Sequence, residues 1–151
     1  MAKVFERILI PTDFGAPARN ALDLAARLAT EFDSELVLLH CWEFPTYAYS
    51  EMTNPPQDFI VAVEQAAREE LDKTLAAVQK EVPRARSLLR TGVPWQEILA
   101  VVEELHADLV VMGTQGRRGI KHVLLGSVAE KVVRLSPVPV LTVHGNPAAV
   151  D

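Results

Sequence analysis

Two polar segments that contain glycine each follow a short apolar run, and their side chains have the clearest potential for chemistry. Residues 11–15 read Pro-Thr-Asp-Phe-Gly after the apolar run 8–10, and residues 113–127 follow the apolar run 109–112. The carboxylate of Asp13 could receive a ribose hydroxyl or an adenine amine, or hold a metal ion. The second segment has the composition of a loop that holds phosphate.

A regular skeleton of glycines defines that second segment. Gly113, Gly116 and Gly126 are separated by two and by nine residues, and Ser127 follows the last of them. Glycines let backbone N–H groups approach an anion, and the N-terminus of a following helix favours negative charge. Arg117 and two further basic residues add positive charge to the same loop. We therefore interpret this loop as a candidate phosphate site.

Purely structural roles would explain several of the same side chains. Residues 127–130 have the S-x-x-E pattern of a capping box, so Ser127 could simply close its own helix. Asp13 could cap a first helix that starts near Pro17. His40 and Cys41 end an apolar run, where core packing is the simpler explanation, although the Cys41 backbone could also line a pocket.

Several familiar catalytic patterns are missing. The chain has no G-x-x-x-x-G-K-[ST] loop, and no G-x-G-x-x-G follows its first apolar run. The spacing of its residues supports neither a Ser-His-Asp arrangement nor a catalytic pair of carboxylates. We identify no catalytic residue and assign no metal ligand from the sequence.

Strand and helix patterns alternate along the chain. Short apolar runs predict buried strands, and apolar residues at helical spacing predict the helices between them. The predicted strands span 8–11, 36–39, 85–90, 109–112 and 138–143, and the predicted helices span 16–33, 57–81, about 94–105 and about 127–135. Residues 43–56 form the longest predicted loop. Pro139 places the last strand at a sheet edge, because proline cannot donate to a ladder.

This alternation predicts an α/β fold of three layers, with a five-stranded parallel sheet between helices. Right-handed crossovers leave two common strand orders, 3-2-1-4-5 and 2-1-3-4-5. Ligands of such sheets bind beyond the carboxyl ends of the strands, where the strand order reverses. In the first order that position lies between strands 1 and 4, so both glycine-containing segments would meet there.

Composition excludes other classes of protein. A chain of 151 residues with 49% hydrophobic and 23% charged residues is typical of one globular domain, here residues 1–151 with a flexible tail at 145–151. A net charge of −5 disfavours nucleic acid as a partner. Cys41 is the only cysteine, and the apolar run near the N-terminus is too short for a signal peptide or a membrane span. We therefore expect a cytoplasmic protein.

The sequence resembles the universal stress protein family from Arg7 to Val143. The resemblance rests on residues 8–14, 38–40, 92–94, 107–113, 124–129 and 137–141. The intact G-x2-G-x9-G-[ST] loop resembles the ATP-binding branch of that family. This resemblance implies a Rossmann-like fold of the adenine nucleotide α-hydrolase type with strand order 3-2-1-4-5. It also implies a homodimer paired through strand 5 and ATP bound between strands 1 and 4.

The resemblance also implies which residues bind the nucleotide, with a divalent ion such as Mg²⁺ or Mn²⁺ between the phosphates. By position, those predicted to bind adenosine, adenine, ribose and phosphates are Pro11, Thr12, Asp13, Cys41, Met112, Gly113, Gly116, Arg117, Gly126, Ser127 and Val128. Gln115 stands where many members carry histidine, and Gly15 where serine is common. The first departure leaves the preference for a triphosphate and any hydrolysis undecided.

Three functions fit the sequence. The first is a regulatory module in the stress response whose state depends on bound ATP. The second is a slow ATPase or phosphotransferase, which would need a positioned water and stabilised phosphoryl charge. The third is a dimeric chaperone or scaffold that binds no nucleotide.

Overall fold

The computed structural model describes residues 3–43, 57–115 and 125–145. Five strands and four helices alternate along these ranges. In chain order they are β1 (Arg7–Pro11), α1 (Ala16–Phe32), β2 (Glu35–Trp42), α2 (Gln57–Gln79), β3 (Arg86–Thr91), α3 (Pro94–Leu105), β4 (Leu109–Gly113), α4 (Ser127–Leu135) and β5 (Val140–Val143). The predicted alternation of strands and helices is therefore confirmed.

The five strands form one parallel sheet in the order β3-β2-β1-β4-β5. In the register of its central strand, Ile8 lies opposite Leu36 of β2 and Leu109 of β4. This order confirms 3-2-1-4-5 and rules out 2-1-3-4-5. The order reverses beside β1, so the carboxyl ends of β1 and β4 border a crevice.

Side chains of the central strands alternate between two hydrophobic cores. Ile8 and Ile10 of β1 face the core under α1 and α2, whereas Leu9 faces the core under α3 and α4. Val111 of β4 faces the core under α1 and α2, and Val110 faces the core under α3 and α4. All five side chains are fully buried, because both faces of a parallel sheet are covered by helices. Burial on both faces explains the continuous apolar runs in the sequence.

Ion pairs and a carboxylate fix the amino end of the sheet. Asp108 precedes β4, and its two carboxylate oxygens accept hydrogen bonds from the backbone N–H groups of Glu6 and Arg7, at 2.7 and 3.1 Å. Glu35 at the start of β2 pairs with Arg7 of β1 at 2.8 Å and with Arg86 of β3 at 2.6 Å. These contacts hold the starts of four neighbouring strands together, at the end of the sheet away from the crevice.

Two strands differ from the prediction by more than one residue at an end. β2 continues through residues 40–42 because each of them pairs with a residue of β3, although the apolar run ends at Leu39. β5 begins at Val140 rather than residue 138. Pro139 has no N–H to donate and only its carbonyl joins the ladder, accepting from the N–H of Val110 at 3.0 Å. The predicted edge position of β5 is confirmed.

Some predictions fall outside the described ranges. They concern the loop 44–56, the centre of the glycine loop at 116–124 and the tail at 146–151. Within the described ranges, no helix is long and apolar enough to cross a membrane.

Candidate functional site

A cavity of about 200 Å³ lies at the carboxyl ends of β1 and β4. Strand ends, the start of α1, and the first turns of α3 and α4 surround it. The described residues that line it are Pro11, Thr12, Asp13, Ala18, Leu39, Cys41, Pro94, Ile98, Met112, Gly113, Thr114, Gln115, Gly126, Ser127, Val128 and Ala129. The cavity therefore occupies the crevice that the strand order predicts.

Nine of the eleven predicted binding residues line this cavity. They are Pro11, Thr12, Asp13, Cys41, Met112, Gly113, Gly126, Ser127 and Val128. The other two, Gly116 and Arg117, lie outside the described residues. Sequence reasoning brought together residues that are more than a hundred positions apart, because strand ends at one edge of a parallel sheet must meet.

Hydrogen bonds around Thr12 shape the loop between β1 and α1. Its backbone N–H donates to the carbonyl of Leu39 at 2.8 Å, and its hydroxyl accepts from the N–H of Phe14 at 3.0 Å. Phe14 has a φ of +67°, in the left-handed region that side chains other than glycine seldom adopt. The Arg19 guanidinium donates to the Phe14 carbonyl at 2.9 Å and stabilises that conformation.

Asp13 stabilises this turn and does not cap α1. Its carboxylate accepts a hydrogen bond from the N–H of Gly15 at 2.9 Å. The N-cap position of α1 belongs to Gly15, which has no side chain to donate or accept. The helix-capping interpretation of Asp13 is therefore wrong. The carboxylate lies half-buried in the cavity wall, where a ligand hydroxyl or amine could reach it.

His40 supports the loop from the side away from the cavity. Its Nδ1 lies 2.7 Å from the carbonyl oxygen of Thr12, which can only accept, so Nδ1 carries the hydrogen. Its ring packs against Phe14 with 4.4 Å between centroids. This arrangement agrees with a structural role for His40, which is not among the residues that line the cavity.

The opposite wall joins β4 to α4. The backbone N–H of Thr114 donates to Val143 of β5 at 3.0 Å, and the Thr114 carbonyl accepts from the N–H of Gly126 at 2.6 Å. Gly126 is the N-cap of α4, with extended backbone angles. Ser127 is therefore the first residue of the helix, and the alternative that it only caps its own helix is wrong. The backbone N–H groups of the first turn, at 127–129, have no acceptor within the helix and border the cavity.

Part of the cavity lining is apolar. Leu39, Pro94, Ile98 and Met112 form it together with Cys41. Burial, and secondarily the negative charge of Glu97, raises the pKa of the Cys41 thiol to about 12, although the charge of Arg90 acts in the opposite direction. The thiol is therefore protonated at neutral pH and behaves as a small apolar wall.

Sequence reasoning missed seven of the lining residues. Pro94 and Ile98 come from α3, and the others are Ala18, Leu39, Thr114, Gln115 and Ala129. Most are ordinary core types, and helical or strand periodicity already explains them. One sequence signal could have found Pro94, namely the glycine two residues before it. In the structure, Gly92 has a φ of +149° and its N–H donates to the Trp42 carbonyl at 2.9 Å, which brings the start of α3 beside the end of β2.

The charge of the site is low in the part that the structure describes. Asp13 is the only residue there whose side chain is charged at neutral pH. Across the described ranges, no group of three or more His, Cys, Asp or Glu residues could hold a metal ion. The described part of the site thus consists of apolar side chains, one carboxylate, hydroxyl groups and a helix N-terminus.

Comparison with known proteins agrees with this architecture. The model of the universal stress protein family matches residues 5–144. The chain belongs to this family.

Similarity to individual family members extends over nearly the whole chain. The universal stress protein YxiE of Bacillus subtilis is 34% identical, over 93% of this chain and 100% of the relative. MJ0531 of Methanocaldococcus jannaschii is 30% identical, over 93% of this chain and 82% of the relative.

Solved structures share the fold. That of MJ0577, also from Methanocaldococcus jannaschii, has a TM-score of 0.77 and 29% identity, over 93% of this chain and 96% of that one. A universal stress protein from Archaeoglobus fulgidus in complex with dAMP has a TM-score of 0.66 and 21% identity, over 93% and 98% of the two chains. A further universal stress protein, in complex with cAMP, has a TM-score of 0.68 and 20% identity, over 94% of this chain and 99% of that one.

Proposed function

We propose that this universal stress protein binds ATP in the cavity between β1 and β4 and acts as a nucleotide-dependent regulatory module in the stress response. The observation that supports this most directly is that the lining combines two unlike groups of residues, which we infer form two ends of the cavity. One end would be apolar, and the other would combine hydroxyl groups with the free N–H groups of α4. A nucleotide has the same division, with a flat apolar base and an anionic phosphate chain.

The apolar end suits an adenine ring. Leu39, Ile98 and Met112 offer aliphatic surface, and the protonated thiol of Cys41 adds no charge. Small-molecule sites are mostly apolar, with a few polar groups that orient the ligand. Asp13 at the cavity wall would supply such a group, by accepting a hydrogen bond from a ribose hydroxyl.

The polar end suits phosphate. Unpaired N–H groups in the first turn of a helix and the helix dipole both stabilise an anion. Ser127 adds an exposed hydroxyl at that position. The predicted contributions of Gly116 and Arg117 would come from the loop outside the described residues.

A divalent ion fits this site only together with the nucleotide. Mg²⁺ keeps several waters and is bound through one or two carboxylates and the phosphates of a substrate. Asp13 is the only carboxylate in the described lining, so the described residues alone offer too few ligands. Asp13 would hold Mg²⁺ or Mn²⁺ indirectly or through one oxygen, and the ion would neutralise phosphate charge.

Family members give further support to nucleotide binding. The structures in complex with dAMP and with cAMP have the same fold as this chain. Both ligands contain adenine, a sugar and one phosphate. We infer that this chain uses the corresponding crevice for an adenine nucleotide.

We infer that the protein holds the nucleotide and does not consume it rapidly. Hydrolysis needs a positioned water and stabilisation of charge on the transferred phosphoryl group. Asp13 is the one carboxylate of the described lining, and it already accepts a hydrogen bond from Gly15 at 2.9 Å. Regulation would then work through differential affinity of the nucleotide for two states of the protein or its assembly.

We also propose a homodimer that pairs through β5. This strand forms the edge of the sheet beside β4, and Leu141 on it is 39% exposed. An unpaired apolar edge strand is a template for pairing with another chain. The proposed compartment is the cytoplasm.

The nucleotide released when the purified protein is denatured tests the binding proposal. Mass spectrometry should detect near-stoichiometric ATP, and added ATP should raise the melting temperature of protein freed of nucleotide. Release of ADP or AMP, with contaminating enzymes excluded, would indicate hydrolysis. An empty protein with no rise in melting temperature would refute nucleotide binding.

A matched pair of variants on α4 would place the site. Val128 lines the cavity, whereas Val133 on the same helix is 43% exposed and does not line it. Val128→Glu should abolish the ATP-induced rise in melting temperature, because a carboxylate at this position would repel phosphate. An acidic residue in the first turn favours the helix, but Val128 also packs against the core under α3 and α4, so the melting temperature of the ligand-free variant must show that the fold persists. Val133→Glu should bind ATP like the wild type, and loss of binding in both variants would contradict the proposed location.

A further inference from the structure

Asp13 lies in a turn that contains a strained residue. The next residue, Phe14, has a φ of +67°, a conformation that glycine adopts freely and that other residues keep only where their surroundings hold it. The Phe14 ring is buried in the core under α1 and α2, whereas Asp13 lines the cavity. Backbone strain of this kind clusters at functional sites, so the groups that maintain it are candidates for a role in binding.

Two side chains from different elements hold the carbonyl groups of the residues on either side of Asp13. His40 on β2 donates from Nδ1 to the carbonyl of Thr12, at 2.7 Å. Arg19 on α1 donates from its guanidinium to the carbonyl of Phe14, at 2.9 Å. Neither of these described residues lines the cavity, so both act on the turn from outside the site.

The same turn sets the direction of the Asp13 carboxylate. One carboxylate oxygen accepts a hydrogen bond from the N–H of Gly15 at 2.9 Å. That N–H belongs to the peptide group between Phe14 and Gly15, and the carbonyl of this peptide is the one that Arg19 holds. A single peptide group therefore links Arg19 to the carboxylate, while His40 holds the peptide group that precedes Asp13.

We propose that His40 and Arg19 are positioning residues, which hold the backbone on either side of Asp13 and thereby orient its carboxylate towards the ribose of the bound nucleotide. This inference rests on the proposed function and adds two residues that determine affinity for the sugar without touching the ligand. A hydrogen bond weakens steeply when its distance or angle departs from the optimum. Loss of either support should therefore weaken recognition of the ribose hydroxyls about tenfold.

The preference for ATP over 2′,3′-dideoxy-ATP measures this contact, because the second nucleotide lacks both ribose hydroxyls. In isothermal titration calorimetry with protein freed of nucleotide, the wild type should bind ATP about ten- to a hundredfold more tightly, as expected for a hydrogen bond to a charged group. Arg19 and His40 should change the affinity for ATP and leave the affinity for dideoxy-ATP unaltered.

Two substitutions of His40 separate its hydrogen bond from its ring. The ring packs on Phe14 with 4.4 Å between centroids. His40→Phe keeps a ring there and removes the donor, so the preference should fall about tenfold. His40→Asn keeps an N–H donor at the place of Nδ1 and removes the ring, so it should retain the preference. The opposite order of the two variants would overturn the role of the hydrogen bond.

Arg19 provides an independent pair of variants, which decides the question even if a His40 variant does not fold. Arg19→Met removes the donor to the Phe14 carbonyl and should also lower the preference about tenfold, whereas Arg19→Lys retains a donor and should restore most of it. Arg84→Met is the matched control. Arg84 pairs with Asp33 at 2.6 Å outside the cavity, so its loss should leave the preference unchanged.

A double substitution distinguishes positioning from a general contribution to stability. In protein that carries Asp13→Ala, His40→Phe should leave the affinity for ATP unchanged, because the carboxylate through which His40 acts is absent. A purely structural role for His40 would instead weaken ATP by the same factor with and without the carboxylate. It would also weaken ATP and dideoxy-ATP alike.

The outcomes distinguish this inference from the proposed function. A wild type that does not bind ATP would refute both. A wild type that binds ATP and dideoxy-ATP equally would leave nucleotide binding intact and overturn the contact with ribose, and with it the positioning role. A wild-type preference that persists in both His40→Phe and Arg19→Met would refute the positioning role alone.

Discussion

Gly113 at the end of β4 packs closely against the start of α1. A Cβ atom at this position would lie 2.8 Å from the Cβ of Pro17, 2.9 Å from the Pro17 carbonyl carbon and 3.0 Å from the backbone nitrogen of Ala18. Two of these three atoms belong to the backbone of α1, so they cannot move without the helix. The lack of a side chain on β4 thus allows the start of α1 to pack directly against the strand.

We predict that Gly113→Ala destabilises the protein by about 1–3 kcal/mol, the usual cost of overpacking a close contact. The helix must shift away from β4, which also widens the cavity. Gly145 offers a matched control, since its added Cβ would lie 3.7 Å from the side chain of Pro17, an ordinary contact distance. Urea denaturation of both variants checks this, and an equal loss of stability in the two would contradict it.

Residue types determined which parts of the site could be predicted. Glycines, a serine and an aspartate after apolar runs are conspicuous, and Asp13, Gly113, Gly126 and Ser127 line the cavity, whereas Gly15 does not. Leu39 and Ile98 carry no such signal, because their types are the same in a core and in a ligand pocket. The capping role of Ser127 was wrong because Gly126 takes the extended conformation of the N-cap.

At the scale of the elements, local pattern determined where strands lie and pairing determined how long they are. The apolar run ended the predicted β2 at Leu39, whereas hydrogen bonding to β3 extends it to Trp42. Those three additional residues bring Cys41 into the cavity wall. Strand order was open between two topologies on local pattern alone, since order depends on long-range contacts that no single segment encodes.

Glu35 joins three strands electrostatically at the amino end of the sheet. Partial burial raises the pKa of its carboxyl group, but hydrogen bonds and charge from Arg86 and Arg7 lower it more, so the pKa lies below the ordinary value of 4.5. A carboxyl group whose pKa is lower in the folded state stabilises the fold above its unfolded pKa. That contribution is lost as the pH falls from about 4.5 through the folded value.

We therefore predict that Glu35→Gln lowers the free energy of unfolding by about 1 kcal/mol at pH 7, a modest effect because the ion pairs are partly exposed. The difference from the wild type should shrink as the pH falls below about 4.5, towards pH 3. Chemical denaturation at the two pH values measures it. Glu104→Gln, which breaks an exposed pair with Arg90, should have a smaller effect. If the free energy of unfolding of Glu35→Gln were lower than that of the wild type by the same amount at both pH values, the loss of stability would not be electrostatic.

In the molecule as a whole, the polar contacts that align the strands and the cavity lie at opposite ends of the sheet. Ion pairs and the Asp108 carboxylate hold the amino ends of the strands, and the cavity opens at their carboxyl ends. Parallel strands make this separation possible, since every strand ends at the same edge. Loops at the carboxyl edge can therefore vary in sequence without altering the contacts that align the sheet.

The edge strand β5 allows a test of assembly. We predict a dimer for the wild type and a monomer for Leu141→Lys, because a charge on a 39% exposed position of this strand opposes close pairing with a second copy. Sedimentation velocity distinguishes the two states. Val61→Lys places the same charge on α2 at a residue that is 51% exposed, and it should remain dimeric. A wild type that sediments as a monomer at high concentration would refute pairing through β5.

The hydrogen bond from Thr114 to Val143 joins the cavity wall to the edge strand, with no residue between them. Where one structural unit contacts both a ligand and a partner chain, thermodynamics requires reciprocity. For the proposed nucleotide and the proposed dimer, the factor by which nucleotide changes the dimerisation constant must equal the factor by which dimerisation changes nucleotide affinity. Diluting the protein with and without nucleotide measures this factor from the dimerisation side. Titrating nucleotide into monomer and dimer measures it from the binding side, and the two values must agree.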